Sequence, residues 1–88
     1  METPAGGSNS EANGAKSTAY GYGTLAQGNS SVAIGDSAQA TQDGAVAIGE
    51  SAQAMGVDSI AIGHGAKATG SVAVGTDAFA SNGGAAFG

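Results

Sequence analysis

Short segments in which apolar and small residues alternate recur along the chain at a nearly fixed spacing. Four of them end in glycine: Ser31-Val-Ala-Ile-Gly35, Ala45-Val-Ala-Ile-Gly49, Ser59-Ile-Ala-Ile-Gly63 and Ser71-Val-Ala-Val-Gly75. The first two intervals between these glycines are equal and the third is slightly shorter, and weaker copies end at Gly21 and Gly88. Self-similarity at a fixed short period is typical of solenoid proteins.

A second alternating element follows each of these glycines after a short gap. Both elements alternate with period two, and the first is rich in β-branched residues, so each predicts a short strand. Glycine suits a sharp corner between them because it reaches positive φ without steric cost. The pattern predicts an all-β parallel β-solenoid with two short strands in each coil of about 14 residues, and about six coils would stand roughly 30 Å tall. The predicted corner glycines are Gly21, Gly35, Gly49, Gly63 and Gly75.

The pattern is weakest at the N-terminus. Residues 1–16 are predicted to be an irregular segment or a degenerate first coil, and residues 17–88 to be the repeats. Because the repeat is interrupted at Gly88, we expect this chain to be a segment of a longer one.

The alternation leaves open which side of the first strand faces inward. Val32 and Ile34 share one face and Ala33 the other. If alanine pointed in, the two sheets would have to approach unusually closely or leave voids. We therefore predict that Val and Ile fill a sheet separation near roughly 10 Å, opposite the alanines of the second strand. The predicted core comprises Val32, Ile34, Ala38, Ala40, Val46, Ile48, Ala52, Ala54, Ile60, Ile62, Ala66, Ala68, Val72, Val74, Ala78 and Ala80.

This orientation predicts a stripe of small apolar residues on the outside of the first strands, suited to self-association. Its members would be Ala33, Ala47, Ala61 and Ala73. On this hypothesis the substitution Ala47→Glu breaks association, and Ile48→Asp unfolds the coil because it buries an unpaired charge. The outward residues of the second strands, Gln39, Gln53, Lys67 and Phe79, are the candidate ligand-binding row.

Composition supports an assembled rather than a solitary chain. The 88 residues include 17 glycines, no tryptophan and no cysteine. Alanine buries little area, and disulfides are excluded, so we expect oligomerisation to supply stability. The net charge of −5, with only two basic residues, argues against nucleic-acid binding. No apolar stretch approaches the length of about 18 residues that a transmembrane helix needs.

Residue types that act in catalysis or metal binding in other proteins are scattered along this sequence. His64 has no second histidine or cysteine with which to bind a metal. Asp36 and Glu50 occupy equivalent corners of adjacent coils, as solvated carboxylates or as a weak cation site. No base is placed to activate a serine, and no helix follows the glycines as a phosphate loop requires. We expect no enzymatic activity, no metal and no cofactor.

The segment Ser30-Ser-Val-Ala-Ile-Gly-Asp-Ser-Ala-Gln-Ala40, with its copies, resembles the head repeat of trimeric autotransporter adhesins of the YadA type. The resemblance implies a left-handed parallel β-roll, three of which associate about a threefold axis. It also implies display on the bacterial outer membrane, through a stalk and a barrel absent from these residues, and attachment to host matrix or cells.

Some heads of this type bind collagen through surfaces that include Asn-Ser-Val-Ala-Ile-Gly. The nearest match here runs from Ser30 to Gly35, with Asn29 one place early. Collagen is thus the expected class of host partner. A trimeric fibre or spike segment and an ice- or surface-binding β-solenoid remain alternatives, although the outward row is too mixed for the uniform face that the latter needs.

Overall fold

The computed structural model describes residues 5–81 and 84–88 as a stack of short parallel strands. Residues 1–4, at the start of the predicted N-terminal segment, and residues 82–83 lie outside the described part. The strands are β1 (Ala5–Gly6), β2 (Glu11–Ala12), β3 (Thr18–Tyr20), β4 (Leu25–Ala26), β5 (Val32–Ile34), β6 (Gln39–Ala40), β7 (Val46–Ile48), β8 (Gln53–Ala54), β9 (Ile60–Ile62), β10 (Lys67–Ala68), β11 (Val72–Val74), β12 (Phe79–Ala80) and β13 (Ala85–Phe87).

The strands form two parallel sheets, and the chain alternates between them. Sheet A contains the seven odd-numbered strands and sheet B the six even-numbered strands, each in chain order. Equivalent residues of successive coils pair directly, as in Ala33 with Ala47 and Ala47 with Ala61. The predicted all-β parallel solenoid, with its two short strands in each coil, is therefore confirmed. Its longest dimension, 33 Å, agrees with the predicted height.

The N-terminal residues that the structure describes continue this stack. Strand β1 pairs with β3, and β2 pairs with β4, in the same parallel register as the later coils. The ring of Tyr20 lies against Gly6, where a side-chain Cβ would come within 2.8 Å of Tyr20 Cε1. An aromatic ring thus covers the glycine of a coil that has few apolar side chains of its own.

The interior of the roll consists of alanine. Sheet A contributes its middle residues, Ala19, Ala33, Ala47, Ala61 and Ala73, and all five are fully buried. Sheet B and the corners contribute the remaining buried apolar residues, Ala26, Ala38, Ala40, Ala45, Ala52, Ala54, Ala66, Ala68, Ala78 and Ala80. The largest fully buried side chains are Thr24 and the serines Ser17, Ser31 and Ser59.

The prediction that valine and isoleucine fill the core is wrong. The residues Val32, Ile34, Val46, Ile48, Ile60, Ile62, Val72 and Val74 all point outward and are half-buried or exposed. The smallest dimension of the Cα trace is only 11 Å across both sheets. At that thickness alanine can meet alanine without leaving voids, whereas β-branched side chains have no room.

Two kinds of corner hold the sheets this close. The glycine corner follows each strand of sheet A, and its glycines stack on one another: a Cβ on Gly35 would come 2.7 Å from the backbone of Gly49. Gly35 has φ 120°, a conformation that essentially only glycine adopts. The loose corner follows each strand of sheet B. There the buried hydroxyls of Ser17 and Ser31 donate to the carbonyls of Gly14 and Gly28, each at 2.6 Å.

Candidate interaction surfaces

Apart from Thr18, the outward face of sheet A is apolar from β3 to β13. Its first column, half-buried except at the end, is Thr18, Val32, Val46, Ile60, Val72 and Ala85, and its second column is Tyr20, Ile34, Ile48, Ile62, Val74 and Phe87. These outward positions of β3 to β13 carry no charged side chain. Exposure reaches 60% at Tyr20 and 73% at Phe87. Contiguous exposed apolar surface of this kind marks an interaction site.

The alanine stripe predicted as the trimer interface does not lie on the surface. Ala33, Ala47, Ala61 and Ala73 are each fully buried between the two sheets, where no other chain can reach them. The same strands instead turn their valine and isoleucine side chains to the outside of the roll. The signal that could have found these residues is that both elements of the repeat place small residues at alternate positions, with alanine at the centre of the first, which permits alanine to face alanine.

The outward row of sheet B has a different character. Gln39, Gln53 and Lys67 pair in register and are half-buried, and Phe79, next in the row, is 59% exposed. Lys67 Nζ lies 6.0 Å from the centroid of the Phe79 ring, at the outer limit of a cation–π contact. The structure therefore places the four predicted ligand-binding residues side by side on one accessible strip.

The glycine corners line one edge of the roll with polar side chains. Asp36, Glu50 and His64 follow successive corner glycines and are exposed. His64 Nε2 lies 3.8 Å from Glu50 Oε1, an exposed contact that contributes little to stability. Within residues 5–81 and 84–88, no group of three potential ligands is arranged to hold a metal ion.

The described part of the chain offers extended surfaces and no enclosed site. Its residues form no pocket. Nor do they include a helix with the length and hydropathy of a membrane span.

Comparison with protein families identifies the repeat. The family model for the YadA head domain repeat matches residues 7–24, 26–52, 54–78 and 66–85, which together cover most of the chain. The chain belongs to this family of structural adhesin heads, in agreement with the resemblance seen in the sequence. The comparison with curated proteins returned no match.

Proposed function

We propose that this chain is the head of a trimeric bacterial surface adhesin that attaches cells to host extracellular matrix or host cells. The uncharged apolar outer face of sheet A is the single observation that carries this proposal. A lone chain would leave this face in water. Three chains that turn it toward a common axis would bury it in a closed cyclic assembly.

In this assembly the interface consists of the outward Val and Ile columns rather than the alanines. Burial of apolar surface contributes roughly 25 cal/mol per Å², so a column repeated over successive coils adds up to a substantial stabilisation. It also compensates for an interior in which alanine supplies little apolar area. Assembly and folding of the roll are then closely linked.

The row of sheet B points away from the axis and is left free for recognition. Gln39, Gln53, Lys67 and Phe79 offer amide groups, one cation and one aromatic ring along a flat strip. Collagen is the first partner to test. Three identical strips in each head, and many heads on each cell, supply avidity even when a single contact is weak. Display on the bacterial cell surface is part of the same proposal.

The first test is the solution mass, measured by light scattering coupled to size-exclusion chromatography. The chain has a mass of 8.1 kDa, and a trimer should appear at three times that value. A monomer would overturn the proposal. Immobilised collagen and other matrix proteins are then tested with the trimer. Matrix binding supports the adhesin, whereas a trimer without such binding favours the alternative of a fibre or spike segment.

A further inference from the structure

One coil of the roll is two residues shorter than the coil before it and one residue shorter than the coil after it, and the shortening falls entirely in its loose corner. The corner Ala40-Thr-Gln-Asp-Gly44 of an earlier coil becomes Ala68-Thr-Gly70 here. Ala61 pairs with Ala73 just as Ala47 pairs with Ala61 in the coil before, so the strands keep their register despite the deletion. The preceding loose corner, Met55–Asp58, therefore projects past a smaller neighbour. We call the step between the corner Met55–Asp58 and the shorter corner Thr69–Gly70 the notch.

The loose corners before the notch are joined by side chains that the notch lacks. Asn29 Oδ1 accepts a hydrogen bond from the Ala15 N–H at 3.0 Å. Asp43 Oδ1 accepts one from the Asn29 N–H at 2.9 Å. These residues occupy equivalent positions in successive coils and form a ladder of hydrogen bonds. The equivalent residue in the next coil is Val57, whose side chain cannot accept a hydrogen bond. The polar ladder thus stops at the coil that borders the notch.

Apolar side chains replace polar ones at the same place. Met55 stands where the previous coil has Thr41, and Val57 stands where it has Asp43. Val57 is 61% exposed, and Met55 is also exposed. In addition, the hydroxyl of Ser71, at the base of the notch, is buried without a hydrogen-bond partner among the described residues. Three departures from the repeat, in length, polarity and hydrogen bonding, coincide at one point.

The notch is continuous with the apolar face of sheet A. Ile60, which opens β9 and points outward, follows Val57 closely along the chain. In a cyclic assembly with sheet A at the axis, the loose-corner edge of one protomer meets the glycine-corner edge of the next. At the height of the notch that edge presents His64, with the carboxylate of Asp77 lying over Gly65. In the two lower coils the position of His64 is taken by the carboxylates of Asp36 and Glu50. At that position an imidazole costs less to desolvate against Met55 and Val57 than a carboxylate does.

We propose that the notch receives the glycine corner around His64 of a neighbouring protomer and thereby fixes the axial register of the three chains. The inference rests on the proposed trimer. From β5 to β11 the columns of sheet A carry only valine and isoleucine, so among these strands a slip by one coil would exchange similar side chains. The notch removes that ambiguity because the coil that forms it is the shortest one in the stack.

The chain supplies its own test variant. Inserting Gln-Asp between Thr69 and Gly70 recreates the corner Thr41-Gln-Asp-Gly44 and fills the notch with a sequence that the roll already accommodates. The insertion should keep the circular dichroism spectrum of the roll and raise the concentration at which the trimer dissociates by about tenfold or more, where tenfold corresponds to about 1.4 kcal/mol. Val57→Asp, which restores the ladder residue, should act in the same direction. An unchanged dissociation concentration in both variants would overturn the proposal.

Cross-linking keeps the proposal testable if the insertion fails to fold. The double variant Val57→Cys with His64→Cys is treated with a short bismaleimide, and the matched control pairs Val57→Cys with Asp36→Cys, two coils away. We expect covalent trimers from the first pair and few from the second. Equal yields would overturn the register. A monomeric unmodified chain would instead overturn the proposed trimer, and this inference with it.

Discussion

Sheet A and sheet B present different faces to solvent although both turn alanine toward the interior. In sheet A the outward side chains are mainly Val, Ile, Tyr and Phe, with no charge from β3 to β13. In sheet B they are Glu, Leu, Gln, Lys and Phe. Both sheets are parallel, follow chain order and share the same corners. The difference between the proposed assembly surface and the proposed recognition surface therefore lies only in the outward positions.

The comparison exchanges the roles that the sequence predicted for two neighbouring residues, Ala47 and Ile48. Ala47 is fully buried, and Ile48 points outward at the proposed interface. Substitutions at these two positions should therefore produce the opposite phenotypes from those that an isoleucine core predicts. Together they give the sharpest test of which side of sheet A is inside.

The largest effect is expected from Ala47→Glu. The substitution places an unpaired carboxylate in an interior only wide enough for alanine, and an uncompensated buried charge costs about 3–5 kcal/mol before any steric term. We expect loss of the cooperative thermal transition in circular dichroism. Gln53→Glu adds the same charge on the outside of sheet B and should leave the transition in place. A folded Ala47→Glu variant would contradict the alanine core.

The second effect is expected from Ile48→Asp. Three carboxylates near the proposed axis would repel one another and lose apolar contact, so the trimer should dissociate. Light scattering should report the monomer mass of 8.1 kDa in place of three times that value. The spectrum of the roll should persist at low temperature. Gln53→Asp is the control on sheet B, and if it dissociates the trimer equally, the assignment of the faces is wrong.

A smaller effect is expected at the corner that joins the two sheets. Gly49 has φ 125°, and a Cβ there would come 2.7 Å from the carbonyl oxygen of Gly63. Gly49→Ala should lower the free energy of unfolding by about 1–3 kcal/mol, the usual cost of forcing a side chain into such a conformation. Gly23→Ser is the matched control, since Ser37 and Ser51 occupy the equivalent position at φ 63° and 61°. Equal losses in chemical denaturation would show that the stacked glycines are not the constraint.

The smallest change in stability is expected from Phe79→Ala. This exposed ring lies on sheet B, so its removal should change the free energy of unfolding by no more than about 0.5 kcal/mol. Binding of the trimer to immobilised matrix protein should weaken. Phe87→Ala removes another exposed ring, this time from sheet A, and should weaken assembly instead. If both variants behave alike, the two faces do not divide these roles.

The local features of this fold were predictable from the chain. The strand predicted at Val32-Ala-Ile34 is β5, and the element Ala38-Gln-Ala40 contains β6. The corner glycines at 35 and 49 have the predicted positive φ. Alternation and turn chemistry depend on near neighbours in sequence, so each copy of the repeat independently predicts the same strands and corners.

The candidate recognition row could also be predicted from the sequence, because the residues between the paired alanines of sheet B differ from coil to coil. The proposed assembly face of sheet A could not be predicted in this way. Period two assigns Val32 and Ile34 to one side and Ala33 to the other, but both sides are apolar. Hydrophobicity alone favours burying the larger side chains, and that criterion selected the wrong face.

The sequence by itself determined the coil length, the two strands of each coil, the sharp corners and the family. Only the tertiary structure decided which face of sheet A is interior, and with it which residues are free to meet a partner. The reason is the distance between the sheets. Stacked glycine corners and buried serine hydrogen bonds bring the two backbones so close that only alanine fits between them, and the larger side chains must lie outside.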